Sequence, residues 1–297
     1  MTWSTFVCVT GVGHFTSAQA QSSYLSLYDA AMAAIPGERE TRDVATTYGQ
    51  VRVYRFGSAS GVPFVLLHGR GATSAMWEPN IPALAAHHTV YAIDSLGEPG
   101  RSIQTLPIRS SADQAAWLTE AFDVLGIERA HLAGVSGGGW LTFNQALHTP
   151  SRVATAALIE PAHVLARFSK KFLLGGFSLL PGLPDSFGNR FLGWVSGNPD
   201  MTQPIAQLLT TGMRTYRMAL PLPEYGRDEL LRALQVPVLA LLGGRSVVHN
   251  PLEAARRAQS LIPHNETELW PEATHALSGE YPAQLNARLL KFADQAS

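Results

Sequence analysis

Residues 129–148 read Arg129-Ala-His-Leu-Ala-Gly-Val-Ser-Gly-Gly-Gly-Trp-Leu-Thr-Phe-Asn-Gln-Ala-Leu-His148. The apolar run from His131 to Ala133 predicts the end of a buried strand. Trp140, Phe143 and Leu147, spaced three and four apart, predict a helix. Between them lies Gly134-Val135-Ser136-Gly137-Gly138, a G-x-S-x-G pattern. A chain that passes straight from strand to helix must turn tightly. Glycine on both sides of the turning residue removes the Cβ atoms that would collide with it. Ser136 then projects at the top of a sheet, beside the first amides of the helix, whose N-terminal end favours negative charge. That makes Ser136 a candidate nucleophile; the alternative is a glycine-rich turn with an incidental serine.

Outward from this turn, the chain has 297 residues, enough for a large core in one or two domains. A hydrophobic share of 46% against 15% charged residues predicts a globular chain and argues against disorder. The net charge of −1 leaves no basic surplus for binding nucleic acid or an anionic membrane. The single cysteine, Cys8, excludes an internal disulfide and a Cys-rich metal site. No apolar run approaches the ~18 residues that suggest a membrane span; the densest covers residues 172–183 and contains glycine and proline. Residues 1–22 form an N-terminal extension. Ala18-Gln19-Ala20 fits a small-residue cleavage site. However, no basic leader precedes Phe6, and Thr10, Gly11, Gly13 and His14 break the apolar stretch. The expectation is a cytoplasmic protein, secreted or periplasmic only if residues 1–20 act as a signal peptide. The sequence does not set the oligomeric state.

In chain order, residues 24–35 predict a helix ended by Pro36-Gly37, and 50–56 alternate as a half-buried strand does. Residues 63–67 are continuously apolar and suit the middle of a parallel sheet. A helix over 74–87 follows, then a strand over 89–93 and a glycine- and proline-rich loop over 95–107. A helix over 111–125 stops at Gly126. Beyond the Ser136 turn, 153–159 predict a strand closed by Glu160-Pro161. This alternation predicts an α/β fold with a mostly parallel, doubly wound sheet. Residues 161–235 show helical spacing but no clear strand. The rhythm resumes with strands over 236–243 and 266–270 and helices over 251–262 and 279–296. The predicted organisation is a core of 23–160 and 236–297, with 161–235 a helical cap over the strand ends.

Ligands of open α/β sheets sit beyond the carboxyl ends of the strands. Those ends carry His68-Gly69-Arg70, Asp94, Ser136, Glu160, Gly244-Arg245-Ser246 and Thr274-His275. An attacking serine needs a base, and a histidine suits that work. His275, after the last strand and before the last helix, is the candidate. With these residues in view, the chain resembles the α/β-hydrolase family over about residues 45–295. The resemblance rests on His68-Gly69, on Gly134-x-Ser136-x-Gly138, on Asp94 to Ser102 as a D-x-x-G-x-x-G-x-S loop, and on His275 near the end. Tyr24-Leu-Ser-Leu-Tyr-Asp29, Thr47-Tyr-Gly49 and Trp77-x-Pro-Asn80 look most like bacterial carboxylesterases of about this length. The resemblance implies Ser136 as nucleophile and His275 as general base and acid. It also implies an oxyanion hole made by the backbone N–H groups of Arg70 and Gly137. No metal or organic cofactor is needed.

The orienting acid departs from the family pattern. Its usual place follows Leu241-Leu242-Gly243, where this chain has Gly244-Arg245-Ser246, a serine in the acid's position. Ser246 can accept a hydrogen bond but carries no charge to stabilise an imidazolium. Glu160, 24 residues after Ser136, ends the neighbouring strand. Some members of the family, including certain haloalkane dehalogenases, take their acid from that place. The candidates are therefore Glu160 first, then a dyad with Ser246 or water as orienter, then Asp94 or Glu253, Asp94 being better suited to bracing its own loop. A serine nucleophile argues against dehalogenase chemistry, which needs an aspartate there. The expected function is a serine hydrolase of carboxylic esters or lactones acting on a small apolar substrate through an acyl-enzyme. Phe168, Phe172, Leu173, Leu174, Phe177, Leu179, Leu180, Trp194, Met213 and Met218 would line its pocket or simply pack the cap. The rivals are a non-ester reaction on the same scaffold (a lyase, a C–C hydrolase or an acyltransferase) and a ligand-binding protein without turnover.

Overall fold

The apolar runs expected to be strands lie side by side in a computed structural model that describes residues 11–179, 183–198, 200 and 202–295. Strand β1 (His14–Phe15) and helix α1 (Ala18–Ala33) come first, then the hairpin β2 (Arg39–Thr46) and β3 (Gly49–Phe56). They are followed by β4 (Phe64–Leu67), α2 (Ile81–Ala85), β5 (Val90–Ile93), β6 (Ile103–Gln104) and α3 (Ser111–Leu125). The centre of the chain is β7 (Ala130–Val135), α4 (Gly137–His148) and β8 (Val153–Ile159). An insertion holds α5 (Lys170–Gly176), α6 (Asp185–Ser196), α7 (Pro204–Thr215), β9 (Tyr216–Arg217) and α8 (Asp228–Arg232). The chain closes with β10 (Val238–Gly243), α9 (Pro251–Leu261), β11 (Asn265–Trp270), α10 (Leu277–Glu280) and α11 (Pro282–Gln295).

The main sheet runs β11-β10-β8-β7-β4-β5-β3-β2, with β6 on the flank of β3. Pairing is parallel from β5 through β4, β7, β8 and β10 to β11, and antiparallel where β3 meets β5, β2 and β6. Every residue of β4, β7, β8 and β10 is buried, because helices cover both faces and leave no polar side to alternate with. On one face Trp117, Phe122, Trp140 and Phe143 of α3 and α4 pack against the sheet. On the other, Tyr24 and Tyr28 of α1 and Leu285, Leu289 and Phe292 of α11 do so. The outer strand β2 buries only Val44, and its charged residues protect an open edge. All the parallel strands therefore end at one rim.

Several expected boundaries move. The first helix begins at Ala18, not at 24, because the Ser17 hydroxyl accepts the Ala20 amide as an N-cap. Residues 14–22 of the expected extension are thus part of the folded chain, while residues 1–10, Cys8 included, lie outside the described residues. The expected helix over 74–87 is a 3-10 turn at Ser74–Trp77 followed by α2, since Pro79 and Pro82 interrupt the amide ladder. The closing helix is broken at Tyr281-Pro282 into α10 and α11; Ala296 lies outside the described residues. The insertion contains a strand after all, β9, whose antiparallel partner is β1. No helix among the described residues is long and apolar enough to cross a membrane.

Candidate active site

Ser136 occupies the turn from β7 into α4 with φ 54° and ψ −112°. A residue with a side chain adopts this conformation only under strain of about 1–3 kcal/mol, so its surroundings must hold it. Its N–H donates to Ile159 O at 3.0 Å, and its carbonyl accepts from Trp140 and Ala162 at 3.0 and 2.9 Å. A Cβ on Gly134 would lie 2.0 Å from Gly138 O, and one on Gly138 would lie 2.1 Å from Leu67 O. Glycine at these two positions is a geometric requirement of the turn.

The exit of β4 abuts this turn. A Cβ on Gly69 would touch the Ser136 Cβ at 3.6 Å, and one on Gly137 would lie 3.1 Å from the Arg70 nitrogen. The Arg70 and Gly137 amides are therefore close neighbours beside Ser136. The Gly69–Ala72 turn is closed by Ala72 N–H to Gly69 O at 3.0 Å, with Gly71 at φ +79°. The Gly71 N–H donates to Glu98 Oε2 at 2.6 Å. The Arg70 guanidinium reaches the insertion, donating to Leu220 O and Pro221 O at 3.4 and 3.3 Å. His68 is buried and bonded on both nitrogens. Nε2 accepts the Ser95 amide at 2.9 Å, so Nδ1 carries the proton and donates to Gly69 O at 2.9 Å. His68 thus ties the exits of β4 and β5 together.

Glu160 directly follows β8, has φ 47° and is fully buried. Its Oε1 accepts the Gly243 amide at 2.7 Å. Its Oε2 accepts the Ser246 hydroxyl at 2.5 Å and His275 Nδ1 at 2.9 Å. Burial pushes this carboxyl's pKa up, but the facing His249 imidazole, the bond and charge of His275 and the Ser246 hydroxyl outweigh it and hold the pKa below the usual carboxylate range. A carboxylate accepting from Nδ1 fixes the ring and leaves Nε2 of His275 as the free base position.

The other orienter candidates are placed differently. Ser246 donates to Glu160 instead of accepting from His275. Asp94 is buried under its own loop, where it accepts Tyr28 Oη at 2.7 Å and the Ser74 and Arg101 amides at 3.0 Å each. A Cβ on Gly100 would lie 2.8 Å from Asp94 Oδ2, so the loop closes directly on the carboxylate. Asp94 as orienter is therefore corrected to a loop brace. Glu253 lies in the first turn of α9, its amide capped by the Asn250 side chain at 3.2 Å.

Sequence reasoning missed Glu98, Glu280 and His249. Glu98 lies within the quoted loop, but its carboxylate works on a turn 27 residues earlier. Glu280 accepts the Thr274 amide and hydroxyl at 2.7 and 2.8 Å and steadies the loop that carries His275. His249 brings Nε2 to 3.6 Å from Glu160 Oε1, and no spacing motif marks it. No cluster of three or more His, Cys, Asp or Glu among the described residues is placed to hold a metal ion.

Of two cavities, one adjoins these residues. It has a volume of about 30 Å³ and is lined by His68, Arg70, Glu98, Gly137, Trp140 and Leu220. The larger, about 210 Å³, lies within the insertion against Leu179, Leu192, Met213 and Arg214. Met213, on the wall of the larger cavity, lies against the Gly71 turn, where a Cβ on Gly71 would meet its Cγ at 3.3 Å. Of the expected cap-lining residues, Leu179 and Met213 line this larger cavity. Phe168 instead stacks on His163 at 4.7 Å, and Leu173, Leu174, Phe177 and Trp194 are exposed. Leu180 lies outside the described residues.

A mostly parallel sheet with a serine at a strained strand-to-helix turn, and a histidine–carboxylate pair on the same rim, is the architecture of an α/β hydrolase. A family described as alpha/beta hydrolase fold matches residues 62–193. The carboxylesterase nap of Bacillus subtilis is 34% identical over 278 residues, 91% of each chain. Carboxylesterase YbfK of the same organism is 31% identical over 287 residues, 94% of this chain and 96% of its own. The crystal structure of naproxen esterase (carboxylesterase NP) from Bacillus subtilis matches with a TM-score of 0.86 at 32% identity, covering 93% of this chain and 99% of that one. The chain belongs to the α/β-hydrolase family. Its likeness to carboxylesterases runs along nearly its whole length, and it is a carboxylic ester hydrolase.

Proposed function

We propose that Ser136, His275 and Glu160 form the catalytic triad of this ester hydrolase. The observation that carries the reading is the 2.9 Å contact from His275 Nδ1 to Oε2 of Glu160, the residue directly after Ile159, whose carbonyl accepts the Ser136 amide. His275 Nε2 takes the Ser136 proton as Oγ attacks the ester carbonyl carbon. The oxyanion of the tetrahedral intermediate accepts from the Gly137 and Arg70 amides, each worth about 2.7–4 kcal/mol in such sites. Collapse expels the alcohol, which takes the proton from Nε2. Water then attacks the acyl-enzyme, giving its proton to His275, and the carboxylic acid leaves as Ser136 recovers its hydrogen. Glu160 stays ionised throughout and stabilises the transient imidazolium.

Residues 161–235 serve in this reading as the cap, and the substrate is a small, largely apolar ester. The cavity of about 30 Å³ beside Arg70 and Gly137, with Trp140, Leu141 and Leu220 on its apolar side, supports that size. We further read the protein as cytoplasmic, with residues 14–20 kept. Cleavage after Ala20 would remove β1 from β9 and the Ser17 cap from α1. A fluorophosphonate probe tests the nucleophile. It should label the parent protein and leave Ser136→Ala unlabelled, with aryl acetate hydrolysis lost in step. Labelling of Ser136→Ala, or a parent protein that turns over no ester, would overturn the reading.

A further inference from the structure

Glu160 has four lone-pair positions, and three are filled by close donors: Gly243 N–H at 2.7 Å, Ser246 Oγ at 2.5 Å and His275 Nδ1 at 2.9 Å. A second imidazole approaches the remaining capacity of Oε1, with His249 Nε2 at 3.6 Å. His249 is 3% exposed, and neither of its ring nitrogens has a hydrogen-bond partner among the described residues. A neutral imidazole carries one N–H, and leaving it unmet in a dry interior costs about 1–3 kcal/mol. At 3.6 Å the approach is longer than a hydrogen bond, but a full charge and an N–H dipole still interact across it in a buried site.

The ring is held from both sides of its chain. The His249 backbone forms an antiparallel bridge with Phe168 at the start of the insertion. Ser169 donates from its amide to Val248 O at 2.8 Å and from its hydroxyl to Val247 O at 2.7 Å. Asn250 caps α9. The titratable groups acting on His249 are Glu160 from the end of β8, His275 from the loop after β11 and Glu253 from α9. Burial drives the His249 pKa down, and the Glu160 charge pulls the other way without restoring it. The ring is therefore neutral at neutral pH.

We propose that His249 is a positioning residue for the general base. Its neutral Nε2–H faces Glu160 Oε1, steadies the carboxylate at its unfilled lone pair and draws charge away from Oε2. In this way it sets where the acid limb of kcat/KM falls. The proposal rests on Glu160 being the orienting acid. Without the second imidazole, the carboxylate's charge is left whole for His275, its imidazolium is better stabilised, and the acid limb of kcat/KM moves to higher pH.

The test is the pH profile of p-nitrophenyl acetate hydrolysis by the full chain and by His249→Leu, His249→Gln, Glu160→Gln and the Glu160→Gln/His249→Leu double variant. His249→Leu should lose about tenfold in kcat with KM held, and its acid limb should move to higher pH. His249→Gln places an amide N–H at similar reach and should restore most of both. On the Glu160→Gln background, His249→Leu should displace the limb no further. A parental profile in His249→Leu, or equal losses in the Leu and Gln variants with the limb unmoved, would overturn the proposal as mere packing. A fully active Glu160→Gln overturns the orienting-acid reading and this proposal with it. A crippled Glu160→Gln beside an unaffected His249→Leu overturns the second histidine alone.

Discussion

Three donors within 2.9 Å close on the fully buried carboxylate of Glu160, whereas helix α5, in the insertion above, buries none of its residues. Ser136 is held at φ 54° by backbone bonds to three residues. In the insertion, Leu174 and Phe177 are 68% and 61% exposed. The rim meets the demand of catalysis for groups fixed to a fraction of an ångström. The insertion meets a different demand, that of shaping a pocket, and few buried contacts constrain it. Substitutions at the rim should therefore change the rate of the reaction, and substitutions in the insertion should change which ester is preferred.

The largest effect falls on the rim. Ser136→Ala should lower kcat for an aryl ester by on the order of 10⁶ with the fold intact, as removing a nucleophile does in other triads. Residual activity within a hundredfold of the parent would break the comparison at its strongest point. Glu160→Gln comes next, with an expected loss in kcat on the order of 10³–10⁴ and a KM near the parent's. Its pH dependence adds a second readout. A carboxyl whose folded pKa is depressed contributes stability that is complete above the ordinary carboxylate range and is lost as pH falls through the folded value. Glu160→Gln lacks that contribution, so its melting temperature should fall less steeply with acid than the parent's.

The same contrast explains what the sequence made legible. The strands β4, β7, β8 and β10 are readable because full burial leaves an apolar run, and β5, in which only Tyr91 is half-buried, nearly so. Glu160 stood out as a carboxylate at a strand end, with Ser246 in the acid's usual place. The strand β2 was not readable, because an exposed edge that buries only Val44 has no apolar periodicity. The pairing of β1 with β9 joins two dipeptides some 200 residues apart, and nothing local announces it. His249 escaped for a similar reason. Its neighbour Asn250 is legible as a helix cap, but the approach of its ring to Glu160 exists only once β8 and β10 are adjacent.

In the insertion, Met213 is the substitution that sharpens the contrast, since it contacts the Gly71 turn and lines the larger cavity. Met213→Ala should raise the ratio of kcat/KM for a bulky aryl-acyl ester over an acetate ester by about tenfold, the scale set by a few methylenes in an apolar pocket. An equal change for both esters would mean that Met213 acts on the oxyanion turn, and the division between rim and insertion would fail there.

The smallest effect concerns the amino-terminal end of the strand that leads to Ser136. His131 is buried in β7, its Nδ1 2.9 Å from Thr155 Oγ1 and its ring 5.2 Å from that of Phe64. Burial, helped by the charges of His88 and Arg129, pushes its pKa from the ordinary 6.5 down to about 4. The unfolded chain therefore takes the proton first. Stability from this site is complete above pH 6.5 and drains as pH falls toward 4, by at most about 1.4 kcal/mol per pH unit. His131→Asn keeps a group able to bond Thr155 but does not titrate. It should lower the melting temperature slightly at neutral pH, flatten its decline across this window and leave the acid limb of kcat/KM where it was. A shifted limb would mean that the two ends of β7 are electrostatically coupled, and the rim would no longer be a self-contained unit.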